Sequence, residues 1–373
     1  MRKPSRARAG DDELPERLQR HLRAITEVAA PPFAEGERSA AVAAAWRSVG
    51  LDVAVDDLGD VVADLPGGEG PRVLLAAHLD TVFPAGTDVQ VRELDGGRWA
   101  APGISDDSAG LAVLTALAEE VMAGRGGRRP RVTLAATVGE EGLGDLRGAR
   151  RVVTDLAGRV DVFVAVDGAL GQVVSGAVGS RRLLARFRAR GGHAWGDRGA
   201  PSAVHAMGDA IHALIRLDVP SEPRSSLNVG LAGGGSSVNA IAEAASLTLD
   251  VRSLDPDTLA VLVGRVEQRL RSVCRRHRVE LEIEGVGDRP AGHTADEGLL
   301  AAARAALARA GVEARVGPSS TDANAAVAAG IAAIGFGVAR GGDAHRLSEW
   351  IEPGSLSVGF RALGHLLEEL VRR

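Results

Sequence analysis

Of the nine histidines and 49 acidic residues in this chain of 373, one subset recurs in a single kind of setting. His78 and Asp80 close the apolar run LLAAHLD, and Asp106 and Asp107 stand together in GISDDSAG. Glu140 and Glu141 fall in TVGEEGLGD, Asp167 in VAVDG and His345 in GGDAHRLSEW. Carboxylates gathered at one mouth repel each other and resist ionisation unless cations hold them. Two divalent metals sharing a bridging carboxylate settle that charge. Zinc takes imidazole and carboxylate ligands, and paired metals in hydrolases lie about 3.5–4 Å apart. Two histidines and three carboxylates make a balanced ligand set, with one carboxylate left over to act as a base. Each member alone has a plainer reading: His78 and Asp80 as a hydrogen-bonded structural pair, Asp106 as a helix cap, Glu140-Glu141 and Asp167 as turn residues, His345 as a surface or cap residue. Their joint occurrence at successive strand ends favours chemistry.

Hydrophobic patterning supplies the elements that must position them. Residues 73–77 form an apolar run of strand length bounded by turn signals, and alternation along it puts His78 and Asp80 on one face. Residues 131–138 and 161–166 read as two more buried strands, and 331–338 as a fourth. Helical patterns over 40–49 and 111–122 fall between strands, the second with Ser105 or Asp106 as its start signal, and 53–65 reads as an extended hairpin. Strands separated by helices predict βαβ units, a largely parallel sheet and a ligand crevice at the strand ends. The style changes near Gly179. Residues 181–190 alternate polar and apolar, then come a helix over 203–217, a Gly-rich turn at AGGGSS, a strand over 246–253, a helix over 257–277 and a strand over 279–286. That β-α-β-β-α-β order predicts a small antiparallel sheet backed by two helices. The chain therefore divides into a tail over 1–12 read as disordered, a catalytic domain over 13–178 and 290–373, and an inserted domain over 179–289. The fold class is α/β, with an inserted α+β, ferredoxin-like domain.

What is missing narrows the chemistry further. The sole lysine is Lys3, which removes Schiff-base chemistry and a Walker-type phosphate loop. The sole cysteine is Cys274, so no intrachain disulfide or cysteine-rich zinc site forms. There is no tyrosine to serve as a phenolic acid. A net charge of −5 with scattered arginines predicts no nucleic-acid partner, and no apolar run approaches the roughly 20 residues of a membrane span. The first residues lack the apolar segment of a signal peptide, so a cytoplasmic setting is expected.

In order, HLDTV, GISDDSAG, GEEGLGD, VAVDG and DAHRLSEW resemble the dinuclear-zinc aminoacylase/carboxypeptidase/tripeptide-aminopeptidase family of metallopeptidases, in its peptidase T-like form. GGHAWG and NVGLAGGGSSVNAIAEAA, followed by LDVRS, resemble that family's lid and dimerisation domain, so the likeness covers nearly the whole chain. The resemblance implies two Zn²⁺ per subunit, with Co²⁺ or Mn²⁺ as alternatives. His78, Glu141 and Asp106 would hold one ion and His345, Asp167 and Asp106 the other. Asp80 would buttress His78, and Glu140 would be the general base. His193 would reach across a homodimer interface to polarise the scissile carbonyl, while Asn239, Arg252 and Arg289 would meet the substrate's polar ends. Two positions depart from the family pattern: Ser108 stands where a lysine is frequent, and Asp167 where deacylase-like relatives favour Glu. The second leans toward peptidases. The implied reaction is hydrolysis of an amide in a small peptide. An N-acyl amino acid deacylase and a scaffold that binds amino acids or peptides without cleaving them are the rival readings. Asp322 and Asn324, in STDAN, read as helix-cap residues in a loop that the resemblance places near substrate.

Overall fold

The computed structural model of the protein describes residues 14–372, so the tail expected over 1–12 lies outside them. By contacts the chain forms two units: one runs to Gly176 and resumes at His293, and the other is Ala177–Gly292.

The first unit is built on an eight-stranded sheet. Its four central strands, in the order Arg131–Thr137, Arg72–His78, Val162–Ala165 and Ala332–Phe336, run parallel. Val61–Asp64 and Gln172–Ala177 flank them antiparallel. Burial of six of the seven residues in Arg72–His78 explains why that run is apolar without a break. Its side chains still alternate. Val73, Leu75 and Ala77 enter one core with the helix Ser108–Met122, whereas Leu74 and Ala76 enter another with Phe163 and the helix Arg147–Asp155. Ser108–Met122 is buried almost all round because it lies against that strand and against the helices Leu14–Thr26 and Leu356–Val371. Among the described residues no helix is long and apolar enough to cross a membrane.

In the second unit the strands order as Ser225–Gly234, Ala244–Ser253, Gly179–Arg188 and Glu280–Arg289, all antiparallel. With the helices Ala203–Ile215 and Pro256–His277 between them in sequence, this is a ferredoxin-like arrangement. Leu183, Ala185 and Phe187 join Leu247, Leu249 and Val251 in a core with those helices, which accounts for the polar–apolar alternation. Chain entry and exit are tied together, since Ala177 N–H donates to Gly292 O at 2.8 Å and Gly292 N–H to Ala177 O at 3.2 Å.

Three local expectations need correction. The helix after GISDD starts at Ser108 with Asp107 as its cap, rather than Ser105 or Asp106, because the Asp107 carboxylate accepts from Gly110 N–H at 3.0 Å. The glycines of AGGGSS do not all turn, since Gly233 and Gly234 extend a strand that pairs with Ser246 and Ala245. Asp322 precedes the helix Ala323–Ala328 but makes no side-chain cap, as its carboxylate accepts from the Thr137 hydroxyl instead.

Candidate active site

Parallel strands deliver their carboxyl ends to one edge of the sheet, where side chains can converge. His78 is the last residue of its strand, Glu140 and Glu141 follow Arg131–Thr137, and Asp167 follows Val162–Ala165. Asp106 comes from the loop ahead of the Ser108–Met122 helix and His345 from the loop after the strand Gly341–Gly342. Asp106 is the hub. Its Oδ1 lies 2.8 Å from His78 Nε2 and its Oδ2 lies 3.1 Å from His345 Nε2. His345 Nε2 is also 2.8 Å from Glu141 Oε1.

Buried polar groups hold this cluster in shape. His78 Nδ1 donates to the Asp80 carbonyl at 2.9 Å, which leaves Nε2 facing Asp106. The buttress expected from the Asp80 carboxylate is thus made by its main chain, and the carboxylate itself stands 3.6 Å away. Both its oxygens are committed elsewhere, accepting from Glu140 N–H at 2.9 Å and Glu141 N–H at 2.7 Å. Asp107 ties the helix to the strand end, because its other oxygen accepts from His78 N–H at 3.1 Å. Gly110 makes this approach feasible. A Cβ there would stand 2.1 Å from Val166 O and 2.4 Å from Asp107 Oδ1.

Glu349 was not singled out from the sequence, yet it links the two loops that carry Asp106 and His345. Wholly buried, it accepts from Gly103 N–H at 3.1 Å, Ser105 N–H at 2.8 Å, Ser105 Oγ at 2.8 Å and Asp106 N–H at 3.1 Å. Arg38, also wholly buried, donates to the carbonyls of Val28, Leu79 and Thr26 and sends its charge toward Asp80, Asp107 and Glu349. Neither residue announces itself in a single sequence. Glu349 is one more acid in DAHRLSEW, and Arg38 is one arginine among many.

The electrostatics follow from crowding. Burial pushes Asp167 up, Asp106 adds to the push, and the carboxyl titrates at about 7. Burial and Asp167 together raise Asp107 well above the carboxylate range. Burial opposes the charge on His78, but the hydrogen bond to Asp106 and the nearby negative charge of Asp80, Asp106 and Asp107 outweigh it and hold the imidazole protonated well above its ordinary value. Hydrogen bonds to Asp106 and Glu141 lift His345 to about 10. Asp106 is pushed up by burial and pulled down further by His345 and His78, so it stays ionised. The chain's own side chains thus balance the cluster by taking up protons, and divalent cations do the same with the donor atoms offered here.

Among the described residues three sets of side chains each bring donor atoms within 4.8 Å of one another: His78, Asp106 and Asp167; Asp106, Glu141 and His345; and His78, Glu140 and Glu141. The first two share Asp106 and fit a divalent metal pair. Relative to the distribution implied by the resemblance, Asp167 groups with His78 rather than His345, while Glu141 groups with His345 as well as with His78.

The remaining expected residues, His193, Asn239, Arg252 and Arg289, lie in the second unit. There His193 and Asn239 come together, because Gly192–His193 pairs with Ala240–Ile241 and Ala194 N–H donates to Asn239 O at 2.9 Å. His193 Nδ1 accepts from Trp195 N–H and Gly196 N–H, each at 3.2 Å. Arg252 Nε donates to Asp250 Oδ2 at 2.7 Å, and Arg289 is buried at the end of its strand.

A family model described as peptidase family M20/M25/M40 matches residues 74–369. The structure is similar to that of a tripeptidase from Staphylococcus aureus subsp. aureus Mu50, with a TM-score of 0.82 and 22% identity over 96% of this chain and 99% of that one. It is similar as well to the Bacillus subtilis YxeP protein, described as a dinuclear metal binding peptidase from the M20 family, with a TM-score of 0.70 and 17% identity over 97% and 99% of the two chains. In sequence, 78 residues are 37% identical to a Thermococcus kodakarensis protein named as a LysW-lysine/LysW-ornithine hydrolase, covering 21% of this chain and 22% of that protein's length.

Proposed function

Because the chain belongs to peptidase family M20/M25/M40 and is a hydrolase of that family, we propose that it cleaves an amide bond in a small peptide of di- or tripeptide size at the Asp106-centred cluster. Asp106 carries this reading, as its two oxygens face two different imidazoles in the way a bridging carboxylate requires. Two zinc ions are the proposed metals, with His78, Asp106 and Asp167 holding one and Asp106, Glu141 and His345 the other. Bound there, the pair would supply a Lewis acid for the substrate carbonyl and would lower the pKa of a water to about 7, as in the best-known zinc case.

The chain's own groups then handle protons and charge. Glu140 takes the proton of the attacking water and returns it to the amide nitrogen, since an unprotonated amine leaves poorly. Asp80 fixes the main chain under Glu140, so the carboxylate starts from a set position. His193 donates to the developing oxyanion. Two amides point at its Nδ1, so the proton of the neutral ring sits on Nε2, where a donor is required. Comparable donors contribute about 3–4 kcal/mol in other enzymes. Asn239, Arg252 and Arg289 meet the polar ends of the substrate in this reading. His193 acts across a homodimer interface. Size exclusion with light scattering is expected to give twice the chain mass, and a fully active monomer would take that role from His193.

A substrate panel tests the reaction class. Free-amine di- and tripeptides are expected to turn over faster than N-acetyl amino acids, measured as released amine. The reverse order would make the protein an N-acyl amino acid deacylase. Binding of both without turnover by the metal-loaded protein would leave only a scaffold. LysW-lysine and LysW-ornithine belong in the panel as well, because of the matched stretch shared with the Thermococcus kodakarensis protein.

A further inference from the structure

A cavity of about 580 Å³ opens in the first unit among the helices Leu14–Thr26, Ser108–Met122 and Leu356–Val371 and the loop after residue 123. None of the Asp106-cluster residues lines it. Leu14, Leu117, Phe360 and Leu367 give it an apolar side, while most of its charged groups are basic. Its two carboxylates are already engaged: Glu120 receives Arg17 and Arg125, and Glu368 accepts from Arg309 at 2.6 Å.

Two arginines in the lining keep donors to spare. Arg129 donates to the carbonyls of Pro66 and Gly127 and meets no carboxylate among the described residues. Arg361 is exposed and has no hydrogen bond or ion pair among them. The surroundings are positive. Burial and then Arg309 and Arg361 push His365 below the ordinary imidazole value.

Several separate donors beside an apolar wall suit an anion with more acceptor oxygens than a carboxylate has. We propose that this cavity binds a phosphate-bearing small metabolite, with its phosphoryl oxygens met by Arg129 and Arg361 and its organic part against Leu117 and Phe360. The site is separate from the amide-cleaving cluster and stands whether or not that assignment holds.

Thermal unfolding of the full chain, titrated with inorganic phosphate and with glycerol 3-phosphate at ionic strength fixed by sodium chloride, tests the proposal. A saturable rise in Tm of about 2–4 °C is expected, reached at lower concentration with the organic phosphate. Arg361→Gln should weaken the response, and Arg129→Gln with Arg361→Gln should abolish it, while peptide hydrolysis without added phosphate stays at the wild-type rate. Arg361 is exposed, so Arg361→Gln yields a folded protein even if the double variant does not. Absence of a rise, or an equal rise in wild type and Arg361→Gln, would overturn the proposal, the second by placing phosphate at the metal cluster or nowhere specific.

Discussion

Replacing Glu140 by alanine is expected to lower kcat by about 10²–10⁴-fold while the protein keeps its metals. The expectation rests on a division of labour between two adjacent carboxylates. Glu141 Oε1 lies 2.8 Å from His345, inside the set that shares Asp106, whereas Glu140 groups only with His78 and Glu141. Both backbone amides donate to Asp80, so removing the Glu140 side chain leaves its neighbour's anchor intact. Single-turnover rates with the peptide substrate, alongside metal content by elemental analysis, separate the two roles. Glu140→Gln should resemble Glu140→Ala, because the amide keeps the shape and loses the basicity. Wild-type turnover in either variant would remove Glu140 as the base.

Asp106→Ala should cost more, because two metal positions depend on one carboxylate. Divalent metal is expected to fall from two per chain to none after dialysis, with activity falling to background. His78 would also lose its closest carboxylate contact, at 2.8 Å, and His345 one of its two, at 3.1 Å. Glu349→Gln makes a graded counterpart. It keeps the volume but replaces one acceptor oxygen with a donor facing amide N–H groups, including that of Asp106 itself. A loss of roughly 10–100-fold in metal affinity is expected, read by competition with a chelator in the absence of substrate. Retention of both metals by Asp106→Ala would dismantle the bridging assignment. Unchanged affinity in Glu349→Gln would reduce that residue to a fold-holding part.

Much of this was legible before any coordinates. The unbroken apolar run ending in His78 is what a strand covered on both faces must look like, and alternation after Gly179 is what a sheet backed on one face must look like. The acids and imidazoles at strand ends were visible as a set. Their grouping was not, because it depends on how the loops fold over the strand ends, and chain order does not state that. The strands Gln172–Ala177 and Arg315–Ser319 escaped for a related reason: both are short, only partly apolar and set toward one side of the sheet. The exchange between Asp80's carboxylate and its carbonyl also lay beyond sequence, since it turns on ångström-scale reach within one loop.

The paired amides of Ala177 and Gly292 carry an implication for how such a molecule can be remodelled. A long excursion whose two ends are clamped side by side asks little of its host, for which it is nearly equivalent to a tight loop. The excursion also holds a hydrophobic centre of its own. It can therefore be lifted out, swapped for a counterpart from a related hydrolase or replaced by a short turn, with the eight-stranded sheet still able to assemble around the transplant.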